Sequence, residues 1–272
     1  MTDLQLQGTV DWFVGYTQTF ASGDGRFHPP LQLKVAHSKR VADNARKLAV
    51  DLGWNPAEAN GAEALGWLHD IGRFSQFAEF GTFTDATSIN HGERGWEIIQ
   101  KAGILSMLQP SEQKILLAGI RYHNAKTEPD HLNKESLRFL KLIRDADKLD
   151  IFHIVLDSVK KDGFQDLPGM LPQVNLAASL SPKVLREVQK HRSCSIEDVR
   201  SLEDFLLMQL SWIYDLNYPA ALELVSERGM VGRIEQHLPK KRQVWQVVQT
   251  ARKYIEENTH GKREHNAMEQ SM

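Results

Sequence analysis

The segment AEALGWLHDIGR, residues 62–73, determines how the rest of the chain is interpreted. Ala62 and Leu65 recur at helical spacing, and the next position on the same face is His69, followed directly by Asp70. Residues three and four apart share one face of a helix, so a helix here directs an imidazole toward the core. A buried histidine beside an aspartate needs partners, and other parts of the sequence supply them.

Further predicted helices carry a histidine or an aspartate on their apolar face. His37 lies one turn before Val41, His123 follows Ile120, and Asp147 continues the stripe of Leu140 and Ile143; a fifth helix begins at His91. A lone histidine in such a place is usually a core residue, but a buried carboxylate costs several kcal/mol unless it is paired or metal-bound. A metal accounts for all of these positions together, because cations stabilise carboxylates and neutral imidazoles.

The choice between two nearby aspartates follows from helix geometry. Asp147 lies on the apolar stripe. Successive residues of a helix are rotated by about 100° around its axis, so Asp145, two residues earlier, points about 200° away from Asp147. Asp147 is therefore the expected ligand. Asp150, one turn beyond Asp147, either supports a ligand or lies on the surface. The imidazole and carboxylate set contains no thiolate, which disfavours a structural zinc site. Its imidazoles disfavour Ca²⁺ and a Mg²⁺-only site, because both ions prefer oxygen ligands. Mn²⁺, Fe²⁺, Co²⁺, Ni²⁺ and Zn²⁺ remain compatible.

Composition excludes several classes of partner. The 33 Lys and Arg residues nearly balance the 35 Asp and Glu residues, for a net charge of -2, so no strong nucleic-acid signal is present. The single cysteine, Cys194, fits a reducing compartment. No apolar run reaches the roughly 18 residues of a membrane helix, and the start MTDLQLQG lacks the features of a signal peptide. We expect a cytoplasmic protein with no membrane partner.

Strand signals are nearly absent and helical patterns recur along the chain, so the predicted fold class is all-α. We expect a single domain over residues 1–260. Its core covers about residues 31–160, and additional C-terminal helices form an extension over about 182–258. A Gly- and Pro-rich loop or linker at 162–182 separates the two parts, and residues 261–272 are expected to form a disordered tail.

The ordered set of His37, His69-Asp70 and Asp147 resembles the HD superfamily of metal-dependent phosphohydrolases. The resemblance implies an HD-domain helical bundle in which these four residues bind one metal ion. His91 in INHGERG and His123 in RYHN resemble the extra ligands of the six-ligand, two-metal branch, in which Asp70 would bridge both ions. The implied cofactor is therefore one or two divalent transition metal ions.

The implied activity is hydrolysis of a phosphate ester of a nucleotide or another small phosphorylated metabolite, with metal-activated water as nucleophile. The expected catalytic residues are Asp70, Arg73 and Lys148, and the expected phosphate-binding residues are Arg73, Arg94 and Lys148, although each cation could equally be an ordinary solvated charge. One alternative is a di-iron oxygenase of the HD type with the same six ligands. A non-catalytic metal-binding module would be expected to miss a ligand and ranks last. The sequence also allows a homodimer.

Overall fold

The computed structural model describes residues 1–165, 167, 171, 173–191 and 194–269, with side chains as far as residue 259. The described residues contain no β-strand, which confirms the all-α prediction. Short 3₁₀ segments occupy Asp85–Thr87, Ile196–Asp198 and Trp212–Asp215. The α-helices are α1 (Asp3–Gln18), α2 (Pro29–Asp51), α3 (Pro56–Leu68), α4 (Gly72–Phe80), α5 (His91–Ala102), α6 (Pro110–Tyr122), α7 (Lys134–Asp162), α8 (Pro182–Gln189), α9 (Leu202–Ser211), α10 (Pro219–Glu227), α11 (Met230–Glu235) and α12 (Arg242–Glu269).

The chain divides into two compact units, Met1–Asp150 and Ile151–Met272. All six predicted metal ligands lie in the first unit, and the boundary lies within α7. The expected single domain, with its core and extension, stays a prediction. Among the described residues, no helix combines the length and the apolar character needed to cross a bilayer.

The last helix extends beyond the predicted end of the C-terminal extension at about residue 258. The helix α12 continues to Glu269, and the disordered tail expected over residues 261–272 stays a prediction. Residues 270–272, together with residues 166, 168–170 and 172 of the expected loop, lie outside the described residues. The described ends of that loop agree with the prediction, since α7 ends at Asp162 and α8 begins at Pro182.

A close approach of backbones sets α2 against α3. A Cβ atom on Gly66 of α3 would lie 2.4 Å from the Cα of Ala42 in α2, so only glycine permits this contact. Side chains along the inner face of α2, such as Val41 and Leu48, are fully buried. The contact brings His37, in the preceding turns of α2, near His69, which directly follows α3.

Two of the helices next to the site, α3 and α5, begin at side-chain caps. In α3, the side chain of Asn55 accepts a hydrogen bond from the backbone N–H of Glu58, and the Glu58 carboxylate accepts one from the N–H of Asn55. In α5, Asn90 Oδ1 accepts from the N–H groups of Gly92 and Glu93, at 2.9 and 3.1 Å. The second cap makes His91 the first residue of its helix.

The second unit has a core of its own. Apolar side chains from α9, α10 and α12 are fully buried, among them Leu206, Val225 and Val248. The buried carboxylate of Asp204 accepts hydrogen bonds from the backbone and side chain of Ser181, which precedes α8. This part of the chain therefore folds around apolar helix faces and one satisfied buried charge.

Candidate metal centre

Two groups of three potential ligands share one aspartate. His37, His69 and Asp70 form the first triad, and Asp70, His91 and His123 form the second, with ligand atoms within 4.8 Å of one another in each. All five residues are buried, and the largest exposed fraction is 7%, at His123. Helices that are distant in sequence thus bring five of the six predicted ligands together.

The two carboxylate oxygens of Asp70 face different triads. Oδ2 lies 3.5 Å from His37 Nε2 and 3.7 Å from His69 Nε2. Oδ1 lies 3.3 Å from His91 Nε2 and 3.6 Å from His123 Nε2. This division is the arrangement that a carboxylate bridging two cations requires.

Asp147 joins the first triad from α7. Its Oδ1 lies 3.2 Å from His37 Nε2 and 3.9 Å from His69 Nε2. Its side chain is 24% exposed, so the site opens to solvent on this side. All six predicted ligands therefore converge, and their role in holding a metal stays a prediction.

The helix predicted in the segment 62–73 is interrupted at His69. α3 ends at Leu68, α4 begins at Gly72, and the three residues between them form a turn. His123 likewise follows the last residue of α6. Each ring donates from Nδ1 to the carbonyl three residues earlier, Gly66 O at 2.7 Å for His69 and Ile120 O at 2.8 Å for His123. The carbonyls at a helix end lack intrahelical donors, so these bonds satisfy them and leave both Nε2 lone pairs facing the site.

The arrangement of lone pairs fits a bound cation. His69 Nε2 is buried and has no hydrogen-bond partner among the described residues. His91 Nε2 and His123 Nε2 lie 2.9 Å apart, although the Nδ1 hydrogen of each ring is already donated elsewhere. Two facing lone pairs repel unless a proton or a metal lies between or beside them. The donor set of imidazoles and carboxylates is compatible with divalent transition metals.

The comparison with protein families agrees with this geometry. Residues 35–151 match the family model of the HD domain, and this range contains all six predicted ligands. The segment is an HD domain. No curated protein and no solved structure matches the chain significantly. The HD domain indicates the superfamily of metal-dependent hydrolases, and clustered histidines and aspartates for a divalent metal are in place.

Burial and neighbouring carboxylates set the pKa values of three histidines in this HD domain, His37, His69 and His91. Burial lowers the pKa of His69 to about 3 and that of His91 to about 4, so both rings are neutral near pH 7. Burial also acts to lower the pKa of His37, but hydrogen bonds to Asp147, Asp150 and Asp70 raise it to about 10. For Asp70, burial acts to raise the pKa, and the charge of Lys34 and the neighbouring histidines hold it well below its usual range.

Two carboxylates contact the Nδ1 atoms of HD-domain histidines, whose Nε2 atoms face the site. Asp150 Oδ2 lies 2.7 Å from His37 Nδ1, and Asp150 is buried, so it contacts a predicted ligand and does not lie on the surface. Asp85 Oδ2 lies 2.7 Å from His91 Nδ1. The sequence analysis missed Asp85, because the loop of residues 81–90 has no helical period. The available signal was that Asp85 is the one carboxylate in that loop.

Lys34 is a second residue that the sequence analysis missed. Its Nζ lies 2.6 Å from Asp70 Oδ2, and the signal for it was its position one turn before His37. Arg73, which was predicted, places Nε 3.5 Å from Asp70 Oδ1. Asp70 therefore has one cation beside each oxygen.

The other two predicted phosphate-binding residues, Arg94 and Lys148, have surroundings different from those of Arg73. Arg94 forms ion pairs with Glu79 and Glu97, at 2.5 and 3.7 Å, rather than with the predicted ligands. Lys148 is half-buried on α7 beside Asp147. The substrate roles of both residues stay predictions.

Proposed function

We propose that the HD domain hydrolyses a phosphate ester of a nucleotide or another small phosphorylated metabolite, and that it uses one or two divalent transition metal ions. The observation that carries the proposal is the division of the Asp70 oxygens between two triads of buried ligands. When bound, the metal ions would lower the pKa of water toward ~7 and offset the charge of the phosphate.

The chain supplies its own cations for the phosphate. Lys34 and Arg73 flank Asp70, and only 17% and 16% of their side chains are exposed. Both lie over the ring of Phe83, with Lys34 Nζ 5.7 Å and the Arg73 guanidinium carbon 5.9 Å from its centroid. Since cations shielded from water attract anions more strongly, this pair is suited to hold phosphate oxygens next to Asp70. Lys148 is a third candidate for the same role.

Asp147 gives the substrate a defined side of approach. It is the predicted ligand with the largest exposed side-chain fraction, at 24%, whereas His69 is fully buried. A phosphate ester entering from this side would meet Asp147 before the more deeply buried Asp70 and histidines. The alcohol or nucleoside portion would remain toward solvent.

The experiment is a phosphate-release screen with metal-free protein. Nucleotides and sugar phosphates are assayed for released phosphate, and cyclic nucleotides for the nucleoside monophosphate that ring opening yields, after repletion with Mn²⁺, Co²⁺, Ni²⁺, Zn²⁺, Mg²⁺ or Fe²⁺. Asp43, an exposed residue of α2, provides the matched control, because Asp43→Asn and Asp70→Asn make the same chemical change. We expect metal-dependent phosphate release from the wild type and from Asp43→Asn, and none from Asp70→Asn.

Two results would contradict the proposal. One is a metal-loaded protein that hydrolyses no member of the panel. The other is oxygen consumption by the iron-loaded protein without phosphate release, which would favour the di-iron oxygenase. Measuring dissolved oxygen in the same iron-repleted samples distinguishes these results.

A further inference from the structure

The histidines of each triad are held in two different ways. In the first triad a backbone carbonyl orients His69 and the Asp150 carboxylate orients His37. In the second triad a backbone carbonyl orients His123 and the Asp85 carboxylate orients His91. Each half of the site therefore contains one histidine whose orientation depends on a single side chain.

We propose that Asp150 and Asp85 are positioning residues, each dedicated to one half of the metal site. Asp150 fixes the His37 ring for the first triad, and Asp85 fixes the His91 ring for the second. A carboxylate behind a ligating histidine fixes the ring orientation and makes the opposite nitrogen a stronger donor. The inference rests on metal binding in the proposed function and does not depend on the reaction.

Asp150 is itself held rigidly. Arg40 donates from Nε to Oδ1 at 2.5 Å and from Nη2 to Oδ2 at 3.1 Å. Only 2% of the Asp150 side chain is exposed. A guanidinium that donates to both oxygens restricts rotation of the carboxylate, and this in turn fixes the orientation of the His37 ring.

Asp85 receives a larger set of donors in the loop before α5. Arg73 donates from Nη1 at 2.8 Å and Gln76 from Nε2 at 2.9 Å, both to Oδ1. Asn124, which directly follows His123, donates to Oδ2 at 3.1 Å. These bonds connect Asp85, which holds His91, to α4 and to Asn124, the neighbour of His123.

The test compares Mn²⁺ binding in Asp85→Ala and Asp150→Ala, with the Asn variants as a second pair in case an alanine variant does not fold. Ser88→Ala is the control for the loop, since Ser88 bonds Gln76 and the carbonyl of Thr84 and leaves the contact between Asp85 and His91 in place. Asp43→Ala is the control for α2. Elemental analysis gives the number of ions per chain, and electron paramagnetic resonance distinguishes a coupled manganese pair from an isolated ion.

Each positioning variant should bind one of its two ions about 10–100-fold more weakly and show the spectrum of an isolated Mn²⁺ ion. The controls should retain the coupled pair. Double variants with His123→Ala show which ion each aspartate affects. Two substitutions that weaken the same ion cause losses of metal that do not add. Asp85→Ala with His123→Ala should retain the ion of the first triad, whereas Asp150→Ala with His123→Ala should lose both ions.

Three results would overturn the inference: a coupled pair retained in both positioning variants, an equal loss in Ser88→Ala, or a single ion in the wild type. A wild type that binds the manganese pair but hydrolyses no phosphate ester would contradict the proposed function alone. The metal counts of the variants would still decide whether Asp85 and Asp150 position their histidines.

Discussion

Gly72 lies directly against the backbone of His91. A Cβ atom at residue 72 would lie 2.1 Å from the His91 carbonyl oxygen and 2.8 Å from the backbone nitrogen of Gly95. Because both neighbours are backbone atoms, no side-chain rotation relieves the contact. The start of α4 can therefore pack on the start of α5, next to the turn that carries Asp70, only with glycine at this position.

The first prediction concerns this contact. Gly72→Ala should lower the free energy of unfolding by about 1–3 kcal/mol, the usual cost of overpacking, and should weaken binding of the second ion because His91 is displaced. Gly8→Ala is the matched control, since a Cβ atom there meets nothing within 4 Å. Urea denaturation and metal analysis of both variants check the prediction, and equal stability of the two variants would contradict it.

The second prediction concerns His123. His123→Ala removes one imidazole of the second triad and leaves His37, His69 and Asp147 in place, so the first ion should remain and the second should be lost. His131→Ala is the control, because His131 is exposed and contacts Tyr122. Elemental analysis that gives the same metal content for both variants would argue for a site with a single ion.

The third prediction separates substrate binding from metal binding. Lys34→Ala removes a cation 2.6 Å from Asp70 Oδ2, so metal affinity should stay equal or rise. The value of kcat/KM should fall about 10–100-fold, as expected for a lost hydrogen bond to a charged group worth about 1.5–3 kcal/mol. Lys39→Ala, an exposed lysine of α2, should change neither quantity. A parallel loss of metal and activity in Lys34→Ala would show that Lys34 supports the metal site instead.

The fourth prediction links metal binding to stability. A metal that binds the folded state alone stabilises it by about 2.7 kcal/mol at a free concentration 100 times its Kd. Mn²⁺ should therefore raise the melting temperature of the metal-free protein. Asp70→Asn should largely abolish the increase, because the amide retains one ligand oxygen in place of two. An equal increase in both proteins would place the stabilising ion elsewhere.

The convergence of the six predicted ligands could be anticipated from the sequence because most of them extend apolar helix faces. His37 and Asp147 each continue a stripe of core residues, and helical periodicity alone aligns them. Asp85 could not be found this way, since it lies in a loop whose conformation depends on donors from Arg73, Gln76 and Asn124. Contacts between residues distant in sequence and outside the helices leave no periodic signal.

Asp145 shows a second limit of the periodicity argument. Its position about 200° from Asp147 predicts that it faces away from the ligands and that Asp145→Asn has little effect. Asp145 is nevertheless fully buried in the structure. A change there would disturb packing whatever its distance from the metals, so Asp145 is not a neutral control. The exposed Asp43 is the appropriate control for Asp70→Asn.

The most direct test of the bridging role of Asp70 is the number of Mn²⁺ ions per chain in wild type, Asp70→Asn and Asp43→Asn, determined by elemental analysis after repletion of metal-free protein. We predict about two ions for the wild type and for Asp43→Asn, as in two-metal hydrolytic sites, and at most about one for Asp70→Asn, with helical content unchanged. Equal metal content in all three proteins, or no uptake by the wild type, would contradict a metal centre built around Asp70.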